Sequence, residues 1–291
     1  MADFVIVTSG DLPEAYFLAG FLASRAQRFA VVNIVARPLA HQLRVLARLR
    51  RNRGTWYLAD LLLARLVDLI RAPVDRRRVA RGLRAFPDID ASVIRRIRSR
   101  YPCLDCRDPH AAAVLDFVRT FGPDYLLLAG APVLRPSLYG LARRTALNRH
   151  LGLVPDFRGS DCTLWAFALD RPEGAGYSIH VVSERVDAGD VLLRRPVPVG
   201  NESSLTEYLW RLQHEASSGF VEIIDGLLHG APLPRVPQAG GGRHFPPAGW
   251  SIRRRADRNF ARLAAHRRSA SEAAAPPCPT PLSRAPDRRQ A

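Results

Sequence analysis

The fold and the chemistry are decided by two stretches: NRHLGLVPDFRGS, residues 148–160, and GYSIHVVSERVDAGD, residues 176–190. On an extended strand successive side chains alternate faces, so Asn148 and His150 point the same way. A carboxamide beside an imidazole suits holding a developing oxyanion while a proton moves. Asp187, arriving later on a loop, is placed to orient that imidazole. Taken singly, each has a plainer reading: His150 as a half-buried packing histidine, Asp187-Ala-Gly-Asp190 as an ordinary turn. Taken together in order, they spell acyl-transfer chemistry. His180 lies inside an expected strand and reads as packing or as support behind the site. His110, His214 and His244 read as ordinary surface or core residues.

The linked set of Asn148, His150, Leu153, Pro155, Arg158, Gly159, Trp165, Gly176-x-Ser-Ile-His180 and Asp187-x-Gly189-Asp190 resembles the folate-dependent formyltransferase family. That family includes enzymes acting on glycinamide ribonucleotide, methionyl-tRNA and amino sugars. The match is dense from Gly122 to Pro198, diffuse over residues 1–40 and absent from the last fifty or so residues. The resemblance implies an α/β, Rossmann-like formyltransferase fold, with 10-formyltetrahydrofolate as co-substrate and no metal. It assigns catalysis to Asn148, a protonated His150 and Asp187. It assigns the folate pocket to Gly130, Ala131 and Leu134 at one strand end, and to Val186, Ala188, Gly189 and Asp190 around Asp187. Arg158 and Gly159 fall on the acceptor side. The family often has Ser-Leu-Leu-Pro after the histidine motif; here Gly152-Leu153-Val154-Pro155 stands instead, which is closer to the amino-sugar and related small-molecule members.

The expected activity is transfer of a formyl group to the primary amine of a small molecule. Two alternatives share the same triad: a methionyl-tRNA formyltransferase-like enzyme, and a hydrolase of formyltetrahydrofolate. A third reading is a nucleic-acid-binding protein that uses arginine segments. The tRNA-acting members carry a folded C-terminal barrel, whereas here some fifty-five residues rich in Pro, Gly and Arg follow the catalytic domain, so nucleic acid is a disfavoured partner.

With 291 residues the chain is long enough for a sizeable core, and its net charge of +16 would ordinarily suggest a polyanion partner. Every one of the 43 basic residues, however, is arginine, alongside abundant Ala, Pro and Leu, which is also the mark of a compositional bias. The charge is localised. Residues 41–100 hold sixteen Arg against five Asp, and residues 236–291 hold eleven Arg against three acids, leaving the remainder slightly acidic. Cys103 and Cys106 form a lone Cys-x-x-Cys with no second pair, so the cysteines read as reduced thiols rather than a zinc site. Without a signal-like N-terminus or a long apolar run, a cytoplasmic location is expected. A homodimer is left open.

Phe4–Thr8 reads as a buried parallel strand, 13–29 as a helix capped by Asp11, and 31–35 as a second strand, the opening of a doubly wound sheet. The loop through Ser9 and Gly10 is a candidate acceptor contact, since the following helix presents free amides. Residues 40–100 break the alternation and read as a helical insertion. Within it WYLADLLLARLVDLIR, residues 56–71, carries apolar residues at 58, 61, 62, 66, 69 and 70, a stripe suited to packing. Further helices are expected over 108–121 and 132–144, a strand over 124–129, an antiparallel pair at 179–182 and 191–197, and a closing helix over 205–228. The catalytic domain is assigned to residues 1–235, and residues 236–291 to a largely disordered tail containing one helix near 252–265.

Overall fold

The computed structural model describes residues 2–35, 39–82, 86 and 88–274; side chains are described for all of these except 39–41, 71–82, 268 and 270–274. A seven-stranded sheet runs β3-β2-β1-β4-β5-β7-β8. Its strands are β1 (Phe4–Thr8), β2 (Phe29–Ile34), β3 (Cys103–Cys106), β4 (Tyr125–Leu128), β5 (Thr145–His150), β7 (Gly176–Val181) and β8 (Val191–Pro196). The first five pair parallel, while β7 joins β5 and β8 joins β7 antiparallel. This is the Rossmann-like sheet expected, with the topological switch between β1 and β4. In such sheets ligands bind beyond the carboxyl ends of the strands at the switch.

The central strands are apolar on both faces because both faces are covered. Phe4 and Ile6 of β1 enter one buried cluster with α1 (Pro13–Ser24) and α8 (Leu205–Leu228). Val5 and Val7 enter the other, with α5 (Ala112–Phe121) and α6 (Pro136–Tyr139). The helix signals are local. Gly122 ends α5 in the left-handed region at φ +63°, and Ser204 caps α8 by accepting the Glu207 amide.

Several expectations need correction. Asp11 does not cap α1: Leu12 holds the cap position, and Asp11 instead accepts hydrogen bonds from Tyr16, Asn33 and Arg98. The helix expected over 132–144 shrinks to Pro136–Tyr139, because Pro136 and Gly140 bracket a single turn. The insertion does form helices, α2 (Leu39–Arg53), α3 (Thr55–Gly82) and α4 (Ala91–Arg100). Of the α3 stripe, though, only Leu61 is buried, and Leu62, Leu66, Leu69 and Ile70 face outward.

The segment assigned to a tail from residue 236 is ordered well beyond that point. β9 (Arg243–Phe245) pairs in parallel with β6 (Phe157–Gly159), and α9 (Trp250–Ala274) packs on α7 (Cys162–Ala168), burying Ala256, Phe260 and Ala264. The sequence pattern missed this because β9 is three residues long and its pairing partner lies over eighty residues away. The rest of the expected tail, residues 275–291, lies outside the described residues, as does Cys278.

Candidate active site

β5 and β7 place the first two polar groups by register. Asn148 is paired directly opposite His180, so their side chains share a face. Asn148 Nδ2 stands 3.1 Å from His180 Nε2. His180 Nδ1 lies 2.9 Å from the Val181 carbonyl, so Nδ1–H donates there, and Nε2 faces both the Asn148 amide and the Asp187 carboxylate. His150, two residues after Asn148, turns to the same end. Its Nε2 lies 2.8 Å from the Phe157 carbonyl, so Nε2–H donates there, and Nδ1 faces Asp187 Oδ2 at 3.5 Å.

Asp187 joins these groups. It sits in the loop between β7 and β8 at φ +50°, a left-handed conformation that aspartate tolerates better than most residues. Its Oδ1 is 3.4 Å from Asn148 Nδ2 and 3.3 Å from His180 Nε2, while Oδ2 accepts the Gly159 amide at 2.8 Å. Gly159 itself is at φ +98°, and a Cβ there would run into the Phe245 carbonyl. Gly152 is equally constrained. A side chain at that position would stand 2.6 Å from His150 Nε2 and 2.8 Å from the Phe157 carbonyl, inside the hydrogen bond that orients the imidazole.

The electrostatics separate the two titrating partners. Burial lowers the pKa of His150 below that of an ordinary histidine, with Asp187 opposing and His180 reinforcing the shift. Burial alone would raise Asp187. The His180 hydrogen bond, the charges on His150 and His180, and the Gly159 amide outweigh it and hold the carboxyl at about 2. These directions favour a carboxylate beside a neutral imidazole, against the protonated His150 that the resemblance implies. Desolvation is the cause: taking the imidazole out of water disfavours its charged form by more than Asp187 restores it.

Asn148, His150 and Asp187 open onto one cavity of about 420 Å³, within the range for a small-molecule site. Gly130, Ala131, Leu134 and Val186 of the expected folate contacts line it, as does Gly159. Ala188, Gly189 and Asp190 do not. Gly189 lies behind the loop, where its carbonyl accepts from Gln238. Arg158 points away from the cavity to Gln238, at 2.8 and 3.1 Å. Ser9 and Gly10, at the end of β1, are not among the lining residues. Among the described residues no cluster of His, Cys, Asp and Glu has the arrangement of a metal site, and Cys103, Cys106 and Cys162 are unpaired thiols.

Three groups carry more than their sequence context indicated. His180 touches both Asn148 and Asp187. His244 of β9 lines the cavity. Gln238 donates to the Asp187 and Gly189 carbonyls at 3.0 and 2.7 Å, clamping the loop backbone. The Gly-x-Ser-Ile-His spacing pointed to His180, but no local signal marks Gln238, whose role depends wholly on the return of the chain. That return is stitched down by the Trp165 indole donating to the Pro246 carbonyl at 2.7 Å and by Asp161 accepting the Ala248 amide at 2.8 Å.

Comparison with known proteins places this arrangement. The Formyl transferase family matches residues 79–224, just over half of the chain. A methionyl-tRNA formyltransferase of Chlorobium chlorochromatii is 30% identical over 120 residues, 41% of this chain and 37% of that protein. One from Anaeromyxobacter dehalogenans is 35% identical over 129 residues, 44% and 40% respectively. The chain thus spans less than half the length of these two relatives. Among solved structures, glycinamide ribonucleotide transformylase 1 from Symbiobacterium toebii superposes with a TM-score of 0.52 at 17% identity, covering 83% of this chain and 95% of that one. A 4-N formyltransferase from Francisella tularensis gives 0.50 at 15% identity, covering 84% and 76%.

Proposed function

The chain belongs to the formyl transferase family, and from that premise we propose that it is an N-formyltransferase moving the formyl group of 10-formyltetrahydrofolate to the primary amine of a small molecule. The observation that carries this reading is the convergence of Asn148, His150, His180 and Asp187 on one cavity. The cavity suits the donor's flat ring system. Leu128, Val133, Leu134, Val182 and Val186 give it an apolar side, and Asn148, His150 and Asp187 a polar end. As co-substrate the folate supplies the formyl carbon and a nitrogen leaving group.

The residues then act in turn. Asn148 Nδ2 swings a hydrogen from Asp187 to the formyl oxygen as the amine attacks and that oxygen becomes negative. A positioned donor of this kind contributes about 10²- to 10³-fold in rate. Neutral His150 takes the amine proton on Nδ1, the nitrogen its bond to Phe157 leaves free. Asp187 stabilises the imidazolium so formed. His150 then returns the proton to the folate nitrogen as the carbon–nitrogen bond breaks, and such transfer adds about 10²- to 10⁴-fold.

A small acceptor is favoured by the wall that the C-terminal segment builds over this end of the sheet, with His244 in the lining and Gln238 holding the Asp187 loop. Incubating the purified protein with 10-formyltetrahydrofolate and a panel of amino sugars, nucleotide-linked amines and charged initiator tRNA, then reading formyl mass gain, tests the proposal. Gain on a small amine, abolished in His150→Ala, is the expected result. Gain on tRNA alone would move the acceptor to the macromolecule, and folate turnover without any acceptor gain would make the protein a hydrolase.

A further inference from the structure

We propose that the α2–α3 hairpin is a docking surface for an anionic lipid bilayer, on which the protein lies peripherally. The observation is an apolar helix face that none of the described residues covers. In α3, Trp56 is 90% exposed, Leu69 72% and Ile70 68%, with Leu62, Leu63 and Leu66 each more than two-fifths exposed. Spacings of three, four and seven residues put them on one stripe along the helix. Leu43 and Val45 of α2, which packs on α3, are exposed as well. Contiguous apolar surface rimmed by polar residues marks an interaction site rather than ordinary surface.

The charges choose the occupant. The sequence of α2 contains no acidic residue, and Arg48, Arg50, Arg51 and Arg53 are exposed along it, with Arg65 exposed on α3. The two acids among the described side chains of α3 are turned to the body. Asp60 accepts from the Ser251 amide and hydroxyl at 2.9 and 2.8 Å, and Asp68 accepts from Arg253 at 2.9 and 3.1 Å. Among the described side chains the outward apolar face is leucine, isoleucine and tryptophan, and the free charges around it are arginine, with Asp68, though half exposed, paired to Arg253. A second copy of the chain would set arginine against arginine. A nucleic acid would meet the phosphate-binding charge but leave the leucine stripe in water. A bilayer with anionic headgroups satisfies both, because apolar side chains enter the acyl boundary while arginines stay among the phosphates. The helix is not a span: no described helix is long and apolar enough to cross a membrane. None of the hairpin residues lines the catalytic cavity.

The test is sedimentation of the full-length protein with vesicles of phosphatidylcholine, with and without phosphatidylglycerol, at low and high salt. Binding is expected to be at least about tenfold tighter on the anionic vesicles, to weaken with salt, and to shift Trp56 emission to the blue. The double variant Leu66→Asp/Leu69→Asp should lose binding, and Arg48→Glu/Arg51→Glu should lose the preference for anionic lipid. Both should keep the parent's thermal melt, since the altered side chains face outward. Equal sedimentation of parent and Leu66→Asp/Leu69→Asp, or none on anionic vesicles at low salt, would overturn the proposal. So would light scattering that shows a dimer which Leu66→Asp/Leu69→Asp converts to a monomer, because the face would then belong to a second copy.

Discussion

Helices α8 and α3 are similar in length and both carry an apolar stripe, yet one is a wall of the core and the other turns its stripe to solvent. In α8, Leu205, Tyr208, Leu212, Ala216, Phe220 and Ile224 are all buried, along the face that covers β5 and β7. In α3 the buried positions among the described side chains are Leu61 and Ala64, and the richer apolar arc is exposed. The difference lies in what each helix must hold. β5 carries Asn148 and His150 and β7 carries His180, so the α8 contact fixes the register on which the site depends. The polar residues of α3, Asp60 and Asp68, do the anchoring, to α9. One helix is attached by its apolar stripe, and the other by two carboxylates with only Leu61 and Ala64 buried beside them.

The sharpest way to break this contrast is through activity. His150→Ala is expected to cost about 10²- to 10⁴-fold in formyl transfer with little change in the melt, whereas Leu66→Asp on α3 should leave turnover at the parental level. Steady-state kinetics on both would refute the division if the α3 variant lost activity comparably.

Stability is the next measure. Phe220→Ala removes a fully buried ring and should cost about 3–5 kcal/mol by denaturant titration, against about 0.5 kcal/mol or less for Leu69→Ala, which opens no cavity. Similar values would mean that something covers the α3 face.

Acid should act on the site end through Asp187 and His150. Asp187 is held at about 2, below the usual carboxyl value, so its contribution is present above that usual value and is lost as pH falls toward 2. His150 is also depressed, so its protonation is harder folded than unfolded, and stability begins to fall once pH drops below the ordinary histidine range. Both have the same sign. Asp187→Asn should remove on the order of 2 kcal/mol of the acid-dependent part; a parallel curve for the Asp187 variant would contradict the assignment.

The smallest effect tests the return of the chain. Gln238→Ala frees the Asp187 and Gly189 carbonyls and the Arg158 guanidinium, at about 1 kcal/mol in stability. Because Gln238 touches no reacting atom, it is a positioning residue. Its loss should lower kcat several-fold and shift the pH–rate profile, with partial rescue by Gln238→Asn. An unaltered profile would reduce it to a structural tie.

Much of the sheet was legible, since β1, β2, β4, β5 and the β7–β8 pair are short apolar or alternating runs between turn residues. α8 was legible end to end from its period and its Ser204 cap. The grouping of Asn148 with His150 followed from strand alternation, a local rule. His180 was underestimated because what matters is its cross-strand partner, and register is set by the pairing of two segments rather than by either one. The helix expected over 132–144 was overestimated because Gly140, four residues on from Pro136, ends it.

What the sequence determined by itself was therefore everything set by neighbours along the chain: the periods, the glycines that accept left-handed backbone, and the ordered motif on which the family resemblance rests. Only the tertiary structure decided the direction in which the pKa of His150 moves, because burial rather than residue type displaces it. Only it decided that residues 236–248 close over the Asp187 loop, because β6 and β9 meet across more than eighty residues of intervening chain. And only it decided which of two similar apolar stripes would be covered. Periodicity puts leucines on one side of a helix, but free energy is gained only when another surface displaces the water from that side.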